Sequence, residues 1–204
     1  MSTEQHLATV EPSLDDVWAS AWSLLLHGQR MHQHSFHQGV LATMSARGPA
    51  ARYVVLRGVD RERGVLGFHT DARSPKLAEI LAMPKVSWCF HGQHVQLRLR
   101  GNASVHRTDA PADNAWQLCT PTMRRAFLSD APPGTRCDRP EAGAYTSEQA
   151  PTMSPEQAER ARGNFALVQV KLVELDWLHL AASGHRRAGF VREGDGWLQE
   201  WRLP

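Results

Sequence analysis

ARYVVLRGVDRERGVLGFHTDARSPK, residues 51–76, decides how this chain is read. It reads as strand, turn, strand, then a basic loop that opens a helix. Over the first strand, 53–58, alternation puts Arg52, Val54 and Leu56 on one face and Tyr53, Val55 and Arg57 on the other. A polar turn at 60–64 leads into a strand at 65–70, and Ser74 is placed to cap a short helix at 75–81. Pro75 suits the first helical position, where the missing N–H has no partner to lose. Arg52, Arg57, Thr70, Arg73, Ser74 and Lys76, gathered at strand ends and a helix start, can hold a phosphate. On local chemistry alone, solvated strand-edge charges explain the same residues equally well.

Working outward, Ser13 followed by Asp15 and Asp16 marks a helix start. Val17, Trp18, Ala21, Trp22, Leu25 and Leu26 then recur at helical spacing, predicting a helix over 13–29 behind a loose arm at 1–11. A strand at 39–45 and the turn Arg47-Gly48-Pro49 make a hairpin with the opening strand. Further strands are predicted at 85–91 and 95–106; in the latter, Val95, Leu97 and Leu99 alternate with Gln96, Arg98 and Arg100. Residues 109–128 read as one helix and 130–155 as a long loop rich in Pro, Gly and small polar residues. Ser154-Pro155-Glu156-Gln157 opens a short helix to 162. Strands follow at 164–175 (continuing or bending through 181), 184–191 and 197–202, the last two joined by a Gly-Asp-Gly turn. Closely spaced strands with polar turns predict a mainly β chain, an antiparallel barrel or sandwich with peripheral helices.

The length of 204 residues suits one domain, 1–204. Net charge is only +2, yet residues 52–107 hold ten Lys/Arg against four Asp/Glu. That local field suits an anionic small ligand; the whole molecule does not read as a polyanion binder. No apolar run approaches membrane-span length, and the N-terminus lacks the basic and apolar regions of a leader. Cys89, Cys119 and Cys137 form no CxxC pair, so reduced thiols in the cytoplasm are expected. His32, His34 and His37 have metal-like spacing without a carboxylate or cysteine beside them, and no metal is expected there. Near the C-terminus, Trp177 and Arg187 offer an indole that can shield a flavin ring and a guanidinium that can bond its pyrimidine edge. A core tryptophan and a basic surface turn are the plainer reading of that pair.

The blocks RYVVLRGV, GFHTDARSPK, VQLRLRG and DWLHLAASGHRRAGF occur in this order. Together they resemble the pyridoxamine 5'-phosphate oxidase-like, FMN-binding split-barrel family over about residues 14–107 and 164–204, within it most the oxidase-related proteins of unassigned substrate. The joint order and spacing are far more specific than any one block. The resemblance implies a split β-barrel that forms a homodimer with FMN at the subunit interface. It implies that Arg52, Tyr53, Val54 and Val55 form an FMN-contacting strand, the arginine toward the phosphate and the backbone toward the ring. His69 and Thr70 would meet the ribityl phosphate and Lys76 the phosphate itself. Gln96, Trp177 and Arg187 would complete the site around the ring.

The same resemblance marks departures. Pro75 stands where the oxidase has an arginine, leaving Arg73 or Ser74 to compensate. Arg57 stands at a substrate-pocket lysine, His185 fits the substrate histidine, and Ser183 replaces its arginine neighbour. The oxidase's Tyr/Arg/Ser substrate group has no clear counterpart in 108–150. The expectation is a flavin-dependent oxidoreductase with an altered substrate pocket and no assigned general base. Arg57 and His185 are its candidate substrate contacts. A flavin, deazaflavin or haem carrier without turnover is the alternative. A nucleic-acid-binding barrel is a further one, which needs exposed aromatics among Tyr53, Phe68, Trp88 and Phe90.

Overall fold

The computed structural model describes residues 11–138, 153–182 and 184–204. The elements run α1 (Leu14–Arg30), a 3-10 turn (Ser35–His37), β1 (Gln38–Ser45), β2 (Gly48–Val55), β3 (Gly58–Asp60), β4 (Val65–Asp71) and α2 (Pro75–Ala82). Then follow β5 (Lys85–Gly92), β6 (Val95–His106), α3 (Ala110–Gln117), α4 (Pro121–Arg125), α5 (Pro155–Asn164), β7 (Phe165–His179), β8 (Arg186–Glu193) and β9 (Gly196–Arg202). The strands pair antiparallel in the order β2-β1-β5-β6-β7-β4-β3. Strand β7 is long enough to divide one edge between two partners, β4 along its first half and β8, which carries β9, along its second. The sheet does not close, which is the split barrel that the resemblance implies.

A register shift opposite Arg100 and Gly101 leaves Val173 of β7 as the extra, unpaired residue of a bulge. Gly101 is required there: a Cβ would stand 2.5 Å from the Lys171 carbonyl oxygen. Trp88, Phe68, Phe90, Leu41, Leu97 and Leu175 fill the inside of the sheet. Helix α1 covers it with Val17, Ala21, Trp22 and Leu25, each large one contributing roughly 1.5–3 kcal/mol by leaving water. The predicted Ser13 cap forms as a reciprocal box with Asp16. A smaller cluster of Cys119, Phe127, Leu128, Ala161 and Phe165 binds α3, α4 and α5 to the start of β7. Among the described residues no helix is long and apolar enough to cross a membrane.

Two predicted boundaries are corrected, and one open alternative is decided. The opening strand ends at Val55, not at 58, because the chain changes partner: the Leu56 N–H donates to the His37 carbonyl and the Arg57 N–H to that of Gly67. The helix predicted over 109–128 is two helices, since Pro121 has no N–H to continue the ladder and Thr120 caps a new start on the Met123 N–H. Strand β7 runs unbroken through Trp177 to His179. Residues 1–10 and most of the predicted 130–155 loop fall outside the described residues, while 131–138 carry neither helix nor strand.

Candidate functional site

A cleft of about 380 Å³ opens where β2 leaves β1 and crosses toward β4. Arg52, Tyr53, Val54, Val55, Arg57, His69, Thr70 and Lys76 all line it. The opening stretch of sequence therefore does converge on one place, and α4 with the turn after it adds Met123, Ala126 and Phe127.

At one end, α2 points its first turn into the cleft. The Lys76 Nζ donates to Thr70 Oγ1 at 2.9 Å and to Ser74 Oγ at 2.6 Å. Ser74 sits at the N-cap position but makes no side-chain cap bond; its oxygen serves the lysine instead. A hydroxyl that accepts from an ammonium keeps its own proton for another acceptor. Burial lowers the Lys76 pKa, and the neighbouring Arg52 lowers it further. Arg52 is fixed by two groups: its Nη2 donates to Glu79 Oε2 at 2.7 Å and its Nη1 to the Thr43 hydroxyl. Thr43 in turn donates to Glu79 at 2.5 Å. The Thr43 hydrogen bond, then the Arg52 charge, hold the Glu79 carboxyl below its ordinary range. Glu79 and Thr43 were absent from the sequence reading. Glu79 lies one helical turn after Lys76, a spacing that could have flagged it.

At the other end, Arg57 is half-buried, and among the described residues no carboxylate lies within ion-pairing distance of it. Burial lowers its pKa, with the Cys119 thiol opposing. His69 is pushed down to about 4 by burial and then by Arg57, so its imidazole is neutral at ordinary pH. Its Nδ1 lies 3.6 Å from the Cys119 sulfur and its ring edge-on to Phe165.

Other predicted residues lie elsewhere. Arg73 is absent from the cleft lining: it clasps Asp71 at 2.8 Å and donates to the Ser129 and Asp130 carbonyls, bracing the segment after α4. Gln96, Trp177 and Arg187 share the β6–β7–β8 region, with Gln96 opposite Leu178 and Trp177 opposite Ala188, and none lines this cleft. Arg187 is held bidentately by the buried Asp176, which also takes Arg98 and Arg202. The Trp177 Nε1 is buried without a hydrogen-bond partner among the described residues, and its ring stacks on His179. His185 lines a separate hollow of about 320 Å³ with Arg186 and Arg187. Ser183 lies outside the described residues. The histidine cluster makes internal bonds, His37 Nδ1 to the Gly28 carbonyl at 2.7 Å and Nε2 to His32 at 3.2 Å. Among the described residues no group of three or more His, Cys, Asp or Glu is arranged for a metal. Of the aromatics a nucleic-acid surface would need, Phe68, Trp88 and Phe90 are buried and Tyr53 alone is exposed.

Comparison with known proteins agrees with this geometry. Residues 16–107 match the family described as pyridoxamine 5'-phosphate oxidase, FMN-binding domain. The pyridoxine/pyridoxamine 5'-phosphate oxidase of Anaeromyxobacter dehalogenans is 31% identical over 172 residues, 80% of this chain and 83% of its own length. The enzyme of the same name from Gluconobacter oxydans is 29% identical over 77% of this chain and 78% of its own. A pyridoxamine 5'-phosphate oxidase-related, FMN-binding protein from Nostoc punctiforme superposes with a TM-score of 0.72 at 25% identity, covering 92% of this chain and 97% of its own. PhzG of Burkholderia lata shares the fold, with a TM-score of 0.70 at 17% identity over 97% of this chain and 98% of its own. The chain belongs to the pyridoxamine 5'-phosphate oxidase family of FMN-binding split-barrel proteins. Its cofactor is FMN. The donor set fits that cofactor: Lys76 bonded to the Thr70 and Ser74 hydroxyls, with Arg52 held beside it by Thr43 and Glu79, suits a phosphate monoester.

Proposed function

We propose that this chain is an FMN-dependent oxidoreductase, related to pyridoxamine 5'-phosphate oxidase but with an altered substrate pocket, working in the cytoplasm. The observation that carries the reading is the cleft itself, lined by Arg52, Lys76 and Thr70 and by Arg57, which among the described residues has no carboxylate partner. Arg52, Lys76, Thr70 and Ser74 hold the phosphate, His69 lies with Arg57 at the other end, and the backbone of Tyr53, Val54 and Val55 faces the ring. Bound there, FMN would supply the redox chemistry of hydride transfer between a substrate and O₂ or another acceptor. The protein's own part is to bind, orient and exclude water.

The reading includes a homodimer. Tyr53 is 72% exposed although it lines the cleft, and Gln96, Trp177 and Arg187 lie away from that cleft within one chain. A second copy would bring these three to the ring end, with His185 beside them as a substrate contact. Light scattering on the purified protein tests this; a monomer that binds FMN normally would refute the shared site. Flavin reduction under anaerobic conditions tests the enzyme reading. Pyridoxamine 5'-phosphate is expected to reduce the flavin slowly or not at all, and rapid turnover would show that the pocket is not altered. FMN that no tested alcohol, amine or nicotinamide donor reduces would favour a carrier.

A further inference from the structure

Outside the flavin cleft, three side chains between the end of β6 and the start of α3 form one chain of hydrogen bonds. The Ser104 Oγ lies 2.9 Å from the His106 Nε2, and the His106 Nδ1 lies 2.6 Å from the Asp109 Oδ2. Ser104 and His106 are two residues apart on one strand, so both project from the same face. Asp109 is the N-cap of α3, and its Oδ1 accepts from the Ala112 N–H at 3.3 Å. The cap fixes the carboxylate where the imidazole meets it.

The protons in this chain can be placed. A carboxylate only accepts, so Nδ1 carries the imidazole proton and Nε2 keeps a lone pair. The Ser104 hydroxyl then donates to Nε2, since the Gln169 carbonyl is farther off at 3.5 Å. The bond from His106 holds the Asp109 carboxyl below its ordinary range. A hydroxyl that donates to an imidazole, itself oriented by a carboxylate, is the arrangement that activates a serine nucleophile. Gln169 pairs directly with Ser104 across β6 and β7, which brings its side-chain amide within reach of an oxyanion formed there. Ser104 is exposed, and the Asp109 side chain is 48% exposed. Water at the carboxylate weakens its hold on an imidazolium, so the site suits esters with good leaving groups, not amides.

We propose that Ser104 and His106, positioned by Asp109, form a flavin-independent acyl-transfer site for small activated esters, with Ser104 as nucleophile and His106 as general base. As Oγ bonds to the ester carbonyl carbon, its proton passes to Nε2. The bond from that carbon to the leaving oxygen breaks, and the leaving group takes the proton from Nε2. Water then attacks the acyl-serine, giving its proton to Nε2, which returns it to Oγ as the acid departs. Ester and water become acid and alcohol, with no change of oxidation state.

The test uses a fluorophosphonate probe, which bonds phosphorus to an activated serine oxygen and expels fluoride. FMN-loaded protein is treated, and the label is located by peptide mass spectrometry; hydrolysis of p-nitrophenyl acetate is followed alongside. The label should fall on Ser104, and His106→Gln should slow it by about 10²-fold or more. Asp109→Asn keeps a capping side chain, so its urea unfolding should match wild type while labelling slows at least about tenfold. Ser104→Ala should lose ester turnover and bind FMN as wild type does. No label on wild-type Ser104, unchanged labelling in His106→Gln or Asp109→Asn, or unchanged ester turnover in Ser104→Ala would each overturn the proposal. The wild-type labelling decides on its own if a variant fails to fold.

Discussion

Lys76→Met separates what the phosphate end does for the cofactor from what it does for the fold. The ammonium is half-buried with its pKa lowered, chiefly by burial and then by Arg52, so the empty protein carries that charge at a cost. Removing it relieves the cost but strands the Thr70 and Ser74 hydroxyls, each worth about 1 kcal/mol as a partner. The two effects oppose, and the stability of the FMN-free protein should change by less than about 1 kcal/mol. FMN loses a charge-assisted contact worth roughly 1.5–3 kcal/mol, or about 10- to 150-fold in affinity. Riboflavin, which has no phosphate, should bind wild type and variant alike. The assay is a fluorescence titration of both flavins, with urea unfolding of the FMN-free proteins alongside. The pH dependence has a definite sign. Lys76 holds phosphate only when protonated, so FMN affinity falls as pH rises through a pKa below the ordinary lysine value, and the variant lacks that alkaline limb. Equal losses for FMN and riboflavin, or unchanged FMN affinity, would refute the phosphate assignment.

Arg52→Ala should weaken FMN by a similar 1–3 kcal/mol and spare riboflavin; with Glu79→Gln, Arg52 keeps a hydrogen-bond partner, so fold stability should fall less than in Glu79→Ala. His69, neutral in the fold with a pKa of about 4 against 6.5 free, gives stability that is complete above pH 6.5 and lost as pH falls toward 4. Unfolding free energies from urea titrations at pH 7.5 and 4.5 should differ by on the order of 2–3 kcal/mol more in wild type than in His69→Gln. Asp176→Asn leaves Arg187, Arg98 and Arg202 without their shared carboxylate, and a loss of about 2–3 kcal/mol in urea unfolding is expected. In a shared-site dimer the same change also frees Arg187 and should shift the flavin spectrum.

What the sequence shows of this fold follows from how local each signal is. Strand β6 is readable to its ends because Val95, Leu97 and Leu99 alternate against polar neighbours and turns bound it. The capping boxes at Ser13 and Ser154 are readable because each is four residues of chemistry. The split of the opening strand is not, since it depends on Leu56 and Arg57 finding carbonyls on His37 and Gly67. The site divides the same way. Arg52, Thr70 and Lys76 stand close in one stretch and reach one cleft. Met123, Ala126 and Phe127 arrive from a segment whose sequence reads only as helix, and tertiary packing alone makes them a wall. Arg73 looks like a phosphate ligand by position, yet Asp71 two residues before it takes its charge.

The central claim is that this cleft binds FMN through its phosphate. Titration of the purified, flavin-free protein with FMN, followed by its visible spectrum, tests that most directly. The account predicts saturable binding at micromolar or lower FMN, with riboflavin at least tenfold weaker. Absence of binding at micromolar FMN, or riboflavin binding as tightly as FMN, would contradict it.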